Sequence, residues 1–341
     1  MRWIGFGPDS RILTANLTWV PLSQVVVGDA VIGVTHQGRY LTYSKTKVED
    51  MSKQTAETMQ VNNKITVATE QRFLVQSKAR NSKWQFVQSI DGKYVKCLLL
   101  HSIDHKTPSW CRGYLAGVID GDGNWHYVDG RLRFKIAVKD EAILHQCKRC
   151  AETIRWPVHD AIHKTSAGFL KALVCEQTVL NEQMWDTIYK DDGTLEYAAG
   201  YLAGIFDAEG TASTPNEVRI AQRIGSEKSV KDNEEIIHKT MMFAERLNFC
   251  VDVWTNSNGF VTIRILNPLR FIVETQPVSR KRMGFLSSTI RTVKSYTLVT
   301  VKPNGIADVI ALKTEAGSYV VEGFVVKGSS PVLQNFNKER K

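Results

Sequence analysis

Followed for its alternation of apolar and polar positions, the middle of the chain divides into strand-like and helical stretches that come round twice. Leu132, Phe134, Ile136 and Val138 alternate with Arg131, Arg133, Lys135 and Lys139, the period of two expected of a strand with one buried face and one cationic face. Asn124 to Val128 precede it across Asp129-Gly130, a dipeptide suited to a tight hairpin turn. Further on, Val218, Ile220 and Ile224 alternate with Arg219 and Arg223, and Gln222 interrupts the apolar side. A helical stretch follows each, Asp140 to Ile154 and Ser229 to Asn248. Then comes a second hairpin, turning near Ser166-Ala-Gly168 or Asn256-Ser-Asn-Gly259, with phenylalanine directly after the glycine in both and Arg264 on the strand beyond the later turn.

Each series opens with the same kind of helix. Leu115-Ala-Gly-Val-Ile-Asp-Gly-Asp-Gly123 and Leu202-Ala-Gly-Ile-Phe-Asp-Ala-Glu-Gly210 lie 87 positions apart. Gly113, Gly117 and Gly121 recur at every fourth position, as do Gly200, Gly204 and Ala208, so each helix carries a stripe without bulky side chains. A glycine inside a helix costs about 1 kcal/mol relative to alanine, so its repetition in both copies implies a close contact that returns more. Packing stripe on stripe brings Asp122 and Glu209 together at the two C-terminal ends. Helix dipoles and mutual repulsion make that place unfavourable for carboxylates, and a divalent cation resolves both difficulties.

These paired motifs resemble the two signatures of LAGLIDADG homing endonucleases in their monomeric form. The resemblance implies an α+β fold, a duplicated αββαββα domain forming a pseudo-twofold saddle on double-stranded DNA. It also implies a mobile genetic element whose product makes a metal-dependent double-strand break with short 3′ overhangs. Asp122 and Glu209 would be the catalytic metal ligands, joined by the backbone carbonyls of Gly121 and Ala208. Mg²⁺ suits hard oxygen ligands and a bound phosphate. The family also places a late basic residue in each half near the scissile phosphate, a position Lys190 and Lys281 fit, although Arg280 and Arg282 flank the latter. The DNA-binding set is Arg131, Arg133, Lys135, Lys139, Arg219, Arg223 and Arg264, with Lys135 and Arg219 at equivalent strand positions. Asp120 and Asp207, two residues before the acids, fall on another helical face and read as structural.

Composition narrows the surroundings. The 341 residues carry 44 Lys plus Arg against 35 Asp plus Glu, a net charge of +9 that favours polyanionic partners. A hydrophobic content of 43% is enough for two sizeable cores. No apolar run is long enough to span a bilayer, so an intracellular protein is expected, cytoplasmic or, in a eukaryote, nuclear. Cys97, Cys111, Cys147, Cys150, Cys175 and Cys250 are scattered, which fits reduced thiols better than a four-ligand zinc site.

The first hundred residues and the last fifty have a different texture, with short strand-like runs at Ala30 to Val34, Lys64 to Ala68 and Ser295 to Val301. Pro8-Asp-Ser-Arg-Ile-Leu-Thr14, Thr66-Val-Ala-Thr-Glu-Gln-Arg-Phe-Leu-Val75 and Gly317-Ser-Tyr-Val-Val-Glu-Gly-Phe-Val-Val326 resemble blocks of an intein, or Hint, domain. The expected organisation is a mostly-β domain split as 1–106 and 288–341, with the endonuclease inserted at 107–287 in halves of about 107–195 and 196–287. The splicing positions depart from that family. Gly5 stands where it has a nucleophilic cysteine, Arg72 where it has histidine, and Lys327-Gly328 where it has His-Asn. Splicing needs a nucleophile, a proton carrier and a cyclising amide, so a relic scaffold is expected. Two other functions stay open: a non-cleaving nucleic-acid binder of maturase or regulator type, and a residually active intein.

Overall fold

The computed structural model describes residues 4–37, 40–76, 82–99, 101, 103–128, 131–166, 168–214, 217–223, 230–256, 259–278, 290–291 and 296–329. The expected turn at Asp129-Gly130, the apolar position Ile224 and the basic run Arg280, Lys281 and Arg282 lie outside the described residues. The fold is mixed α/β and forms two compact units, residues 1–100 with 288–341, and residues 101–287.

The chain begins with eight strands of the first unit: β1 (Arg11–Leu13), β2 (Trp19–Pro21), β3 (Ala30–Gln37), β4 (Tyr40–Val61), β5 (Ile65–Ala68), β6 (Arg72–Gln76), β7 (Ser82–Phe86) and β8 (Tyr94–Lys96). The second unit opens with α1 (Pro108–Asp122), β9 (Gly123–Val128), β10 (Arg131–Ala137), α2 (Glu141–Thr153), β11 (His159–Thr165), β12 (Gly168–Cys175) and α3 (Thr178–Tyr189). It continues with α4 (Leu195–Glu209), β13 (Gly210–Thr214), β14 (Glu217–Arg223), α5 (Val230–Arg246), β15 (Val251–Thr255), β16 (Phe260–Leu266) and α6 (Pro268–Thr275). The chain then completes the first unit with β17 (Ile290–Arg291), β18 (Tyr296–Leu298), β19 (Val301–Thr314), β20 (Ser318–Val321) and β21 (Phe324–Lys327).

In the first unit the strands from the two ends of the chain interleave. One sheet has the order β18-β8-β6-β21-β20-β1-β2 with β7 on β6, and the other is β17-β4-β19 with β3 and β5 on β4. Their shared core holds Phe6, Phe73, Tyr319 and Phe324 edge to face, with Phe6 and Phe73 centroids 5.9 Å apart. The alternation of β-branched and aromatic residues supplies that face, and pairing of β19 with β4 over most of its length closes it.

The second unit repeats one plan, αββαββα followed by αββαββα. The sheets run β11-β12-β10-β9 and β13-β14-β16-β15, the same strand order read from opposite edges. Local chemistry repeats with it. Thr107 and Thr194 cap α1 and α4 by accepting from the backbone N–H of Trp110 and Tyr197, each at 3.1 Å. At the other ends, Gly123 and Gly210 take extended backbone and their N–H groups bond to the carbonyls of Ile119 and Phe206. Both helices therefore run directly into a strand. Asp140 caps α2, and α2 and α5 fall within the expected helical stretches. All six cysteines are free, and only Cys250 is exposed. No helix among the described residues is long and apolar enough to cross a membrane.

Candidate functional site

The glycine stripes bring α1 and α4 into backbone contact. A Cβ on Gly117 would lie 2.2 Å from the Tyr201 carbonyl oxygen, and one on Gly204 would lie 2.2 Å from that of Tyr114. Gly113 and Gly200 are as tight, at 2.1 Å from the carbonyl oxygens of Tyr197 and Trp110. No side chain fits in these gaps, which explains why the sequence tolerates the helix cost of glycine at this spacing. At the last turn a Cβ on Gly121 would meet the Ala208 Cβ at 2.4 Å and the Glu209 Cγ at 3.2 Å. Asp122 and Glu209, the terminal residues of α1 and α4, thus leave adjoining helix ends, Asp122 exposed and Glu209 half-buried.

The neighbouring acids serve another purpose. Asp207, 1% exposed, accepts from the Tyr114 hydroxyl at 2.8 Å and from the backbone N–H of Val278 at 2.9 Å. Asp120 accepts from the hydroxyls of Tyr201 at 2.7 Å and Tyr189 at 2.8 Å, with the Lys239 ammonium 3.8 Å away. Tyr114 and Tyr201 are offset by the same 87 positions as Asp120 and Asp207, so each helix's tyrosine bonds to the other helix's aspartate. Burial pushes the Asp120 carboxyl up, while Lys239 and the two tyrosines pull it back. Sequence reasoning set these aspartates apart as structural but missed the tyrosines.

The donor set at the helix ends is a pair of hard carboxylates. Among the described residues no group of three or more His, Cys, Asp or Glu side chains gathers at one point. Two carboxylates suit Mg²⁺, a hard cation that takes oxygen ligands, better than zinc, which prefers closed nitrogen and sulfur sites. The paired acids at two negative helix ends fit such an ion.

The strands paired with those that leave these ends carry the basic residues in register. Lys135 on β10 lies opposite Asn124, two residues past Asp122, and Arg219 on β14 lies opposite Thr211, two residues past Glu209. Lys135 Nζ is 3.3 Å from His163 Nδ1. Arg133 is half-buried on β10 and Lys139 is exposed beyond it, whereas Arg131 and Arg223 occupy the ends of β10 and β14.

The two faces are not copies of each other. Two residues before Arg219, where the first half has Arg133, stands Glu217. Only 5% exposed, Glu217 accepts from Arg264 Nε at 2.7 Å and pairs with Arg219 as well. Asp252 takes a further bond from Arg264 Nη1 at 2.8 Å. The Arg264 and Arg219 guanidinium groups hold the Glu217 carboxyl below the usual range despite its burial. Two of the three arginines expected on this face are therefore charge-compensated.

The backbone of Lys190 lies by the first turns of α1. It follows α3, where the Arg112 guanidinium reaches its carbonyl oxygen at 3.4 Å and the Asp192 carboxylate as well. Ser109 in the first turn of α1 bonds to the same Asp192 at 2.6 Å, so this corner belongs to the start of α1. Asp122 is at its other end, thirteen residues or about 20 Å along the axis from Ser109. Spacing along the chain suggests Lys190, and the structure sets its backbone beside Arg112.

In the first unit, three of the divergent splicing positions meet around one residue that the sequence did not single out. The fully buried Gln71 accepts from the Gly5 N–H at 3.0 Å, and its amide nitrogen donates to the Lys327 carbonyl at 2.8 Å and the Arg72 carbonyl at 3.3 Å. Arg72 instead lays its guanidinium 4.4 Å over the Phe86 ring. Gly328 donates to the Gly317 carbonyl at 2.9 Å.

No protein-family profile matches the chain, and no curated protein matches it. Several solved structures are similar at low identity. The homing endonuclease I-DmoI in complex with DNA and Ca has a TM-score of 0.41 at 15% identity, covering 53% of this chain and 100% of its own. The homing endonuclease I-WcaI bound to its DNA recognition sequence has a TM-score of 0.35 at 14% identity, covering 52% and 87%. Full-length DUF199/WhiA from Thermatoga maritima has a TM-score of 0.39 at 14% identity, covering 54% and 61%. With TM-scores this low, the functional reading rests on the residues of the site themselves.

Proposed function

We propose that the second unit is a site-specific, metal-dependent DNA endonuclease that acts as a monomer and cuts both strands of a duplex. The observation that carries this reading is the apposition at the ends of α1 and α4, where the Gly121 position meets Ala208 and Glu209 and so sets Asp122 next to Glu209. These two carboxylates would hold Mg²⁺, with the carbonyls of Gly121 and Ala208 as further oxygen ligands. A bound divalent ion supplies Lewis-acid stabilisation of the charge that builds on the phosphate oxygens and the leaving 3′-oxygen.

The remaining chemistry belongs to the chain. Lys135, in register with Asn124 two residues past Asp122, is positioned to contact the phosphate undergoing hydrolysis. Arg131, Arg133 and Lys139 extend that cationic face along the duplex backbone. The rigid helix pair fixes the spacing between two reaction centres, one per strand. Asp paired with Glu makes the two centres chemically unequal, so one strand is cut faster than the other.

The test is incubation of the full chain with plasmid libraries, with and without Mg²⁺. Site-limited double-strand cuts that need the ion support the reading, and intact plasmid at every site overturns it. For the first unit, the gathering of Gly5, Arg72 and Lys327 around Gln71 supports a Hint-like scaffold without splicing chemistry. Mass spectrometry of the chain fused between two tags is expected to find no ligated tags.

A further inference from the structure

Arg219 and Arg264 face each other directly across β14 and β16, an arrangement in which two like charges repel. Glu217 removes that repulsion by accepting from both. Its Oε1 takes the Arg219 Nε, its Oε2 takes the Arg264 Nε at 2.7 Å, and a terminal nitrogen of each arginine also pairs with it. Asp252 takes the Nη1 of Arg264 at 2.8 Å. Two positive and two negative charges therefore cancel within one network, whereas the first half presents Arg133 where Glu217 stands.

A cancelled network has little long-range attraction for phosphate, but it keeps direction. A guanidinium carries five N–H donors in a fixed plane. Arg219 spends donors on two of its nitrogens and Arg264 on all three, and both arginines leave about two-fifths of their side chains exposed, 42% and 38%. The buried carboxylate fixes the planes from behind, so the remaining N–H groups point outward without the entropy loss a free arginine would meet on binding. Two outward donors in one plane match a pair of acceptors such as O6 and N7 of guanine in the major groove.

We propose that Glu217 is a positioning residue that sets Arg219 and Arg264 as guanine readers, so that the second half supplies base specificity while the first half supplies phosphate attraction. This rests on the DNA-binding reading above. The division follows from the contrast between Arg133 and Glu217 at equivalent strand positions. Because β13 continues from Glu209 and pairs Thr211 with Arg219, the bases read would lie close to the cleaved strand.

The test is gel-shift selection from a random duplex library with the full chain in EDTA, on the wild type, Glu217→Gln and Arg219→Lys, each checked for folding by circular dichroism. Wild type is expected to fix guanine at one or more positions, and Glu217→Gln to relax that preference about tenfold or more. The salt dependence of Glu217→Gln should steepen by about one unit of log K against log salt, because the released arginines turn to phosphate. Arg219→Lys keeps charge and backbone, so it should lose the same preference with the salt slope unchanged. If DNA is bound and both variants keep the wild-type preference and slope, the role of Glu217 is overturned. If the wild type binds no duplex at low salt, the DNA-binding reading falls, and this inference falls with it.

Discussion

The hydroxyl of Tyr114 on α1 donates to the carboxylate of Asp207 on α4 at 2.8 Å, and the Tyr201 hydroxyl on α4 returns the same bond to Asp120 on α1 at 2.7 Å. These reciprocal bonds fasten two helices whose glycine stripes have no side chains to interdigitate. Tyr114→Phe removes a donor from a buried carboxylate and is expected to cost about 1–3 kcal/mol, read as a lower urea midpoint at unchanged slope.

Gly117→Ala tests the contact itself. The added methyl group meets the Tyr201 carbonyl, a backbone atom with no rotamer to change. The helices must separate, at an expected cost of roughly 2–4 kcal/mol in chemical denaturation and with loss of cleavage ahead of loss of DNA binding. An unchanged midpoint would show that the helix pair is looser than described.

Arg270 and Glu274 form a buried ion pair at 2.9 Å on α6. Arg270 also donates to the Asn248 carbonyl at 3.0 Å, and Glu274 accepts from the His101 N–H at 3.1 Å. Removing one partner strands the other charge, so Glu274→Ala should cost about 3–5 kcal/mol in thermal or denaturant unfolding. The double change Arg270→Met with Glu274→Leu should recover part of that loss.

Lys96, buried in the first unit beside the Tyr296 ring, is pulled down by burial from 10.5 to about 8. Between those two values the unfolded chain binds a proton that the folded chain does not, so stability rises with pH across the interval. Below about 8 both states are protonated and the burial cost is present in full. Lys96→Met should therefore stabilise the fold at neutral pH by roughly 1–2 kcal/mol and flatten the rise between pH 8 and 10.5, both read from melting curves at stepped pH.

The helix pair and its acids were legible because spacing alone determines which residues share a helical face. Gly113, Gly117 and Gly121 fall on one stripe whatever surrounds them, and their repetition in α4 names the partner. Glu217 escaped because the alternation was read from Val218 onward, and a single carboxylate before a basic strand gives no sign of which arginines it will meet. The roles of Tyr114 and Tyr201 depend on the hydroxyl at the far end of an otherwise apolar ring, which hydropathy patterning counts with the core. The surroundings of Lys190 were not legible, because a number of residues past an acid is a distance along the chain and says nothing of the Arg112 and Asp192 contacts at its backbone. Gln71 gathers Gly5, Arg72 and Lys327 through long-range pairing of β6 with β21, which no local pattern records.

The central claim is that Asp122 and Glu209 act as one metal-holding pair on duplex DNA. Asp122→Asn and Glu209→Gln, each assayed on a cleaved plasmid site with Mg²⁺ and by gel shift on the same duplex, test it most directly. Double-strand cleavage should fall by a hundredfold or more, on the order of 10² in rate, in both variants while the shifted band persists. Full cleavage by either variant, or loss of binding together with cleavage, would contradict the pair's assigned role.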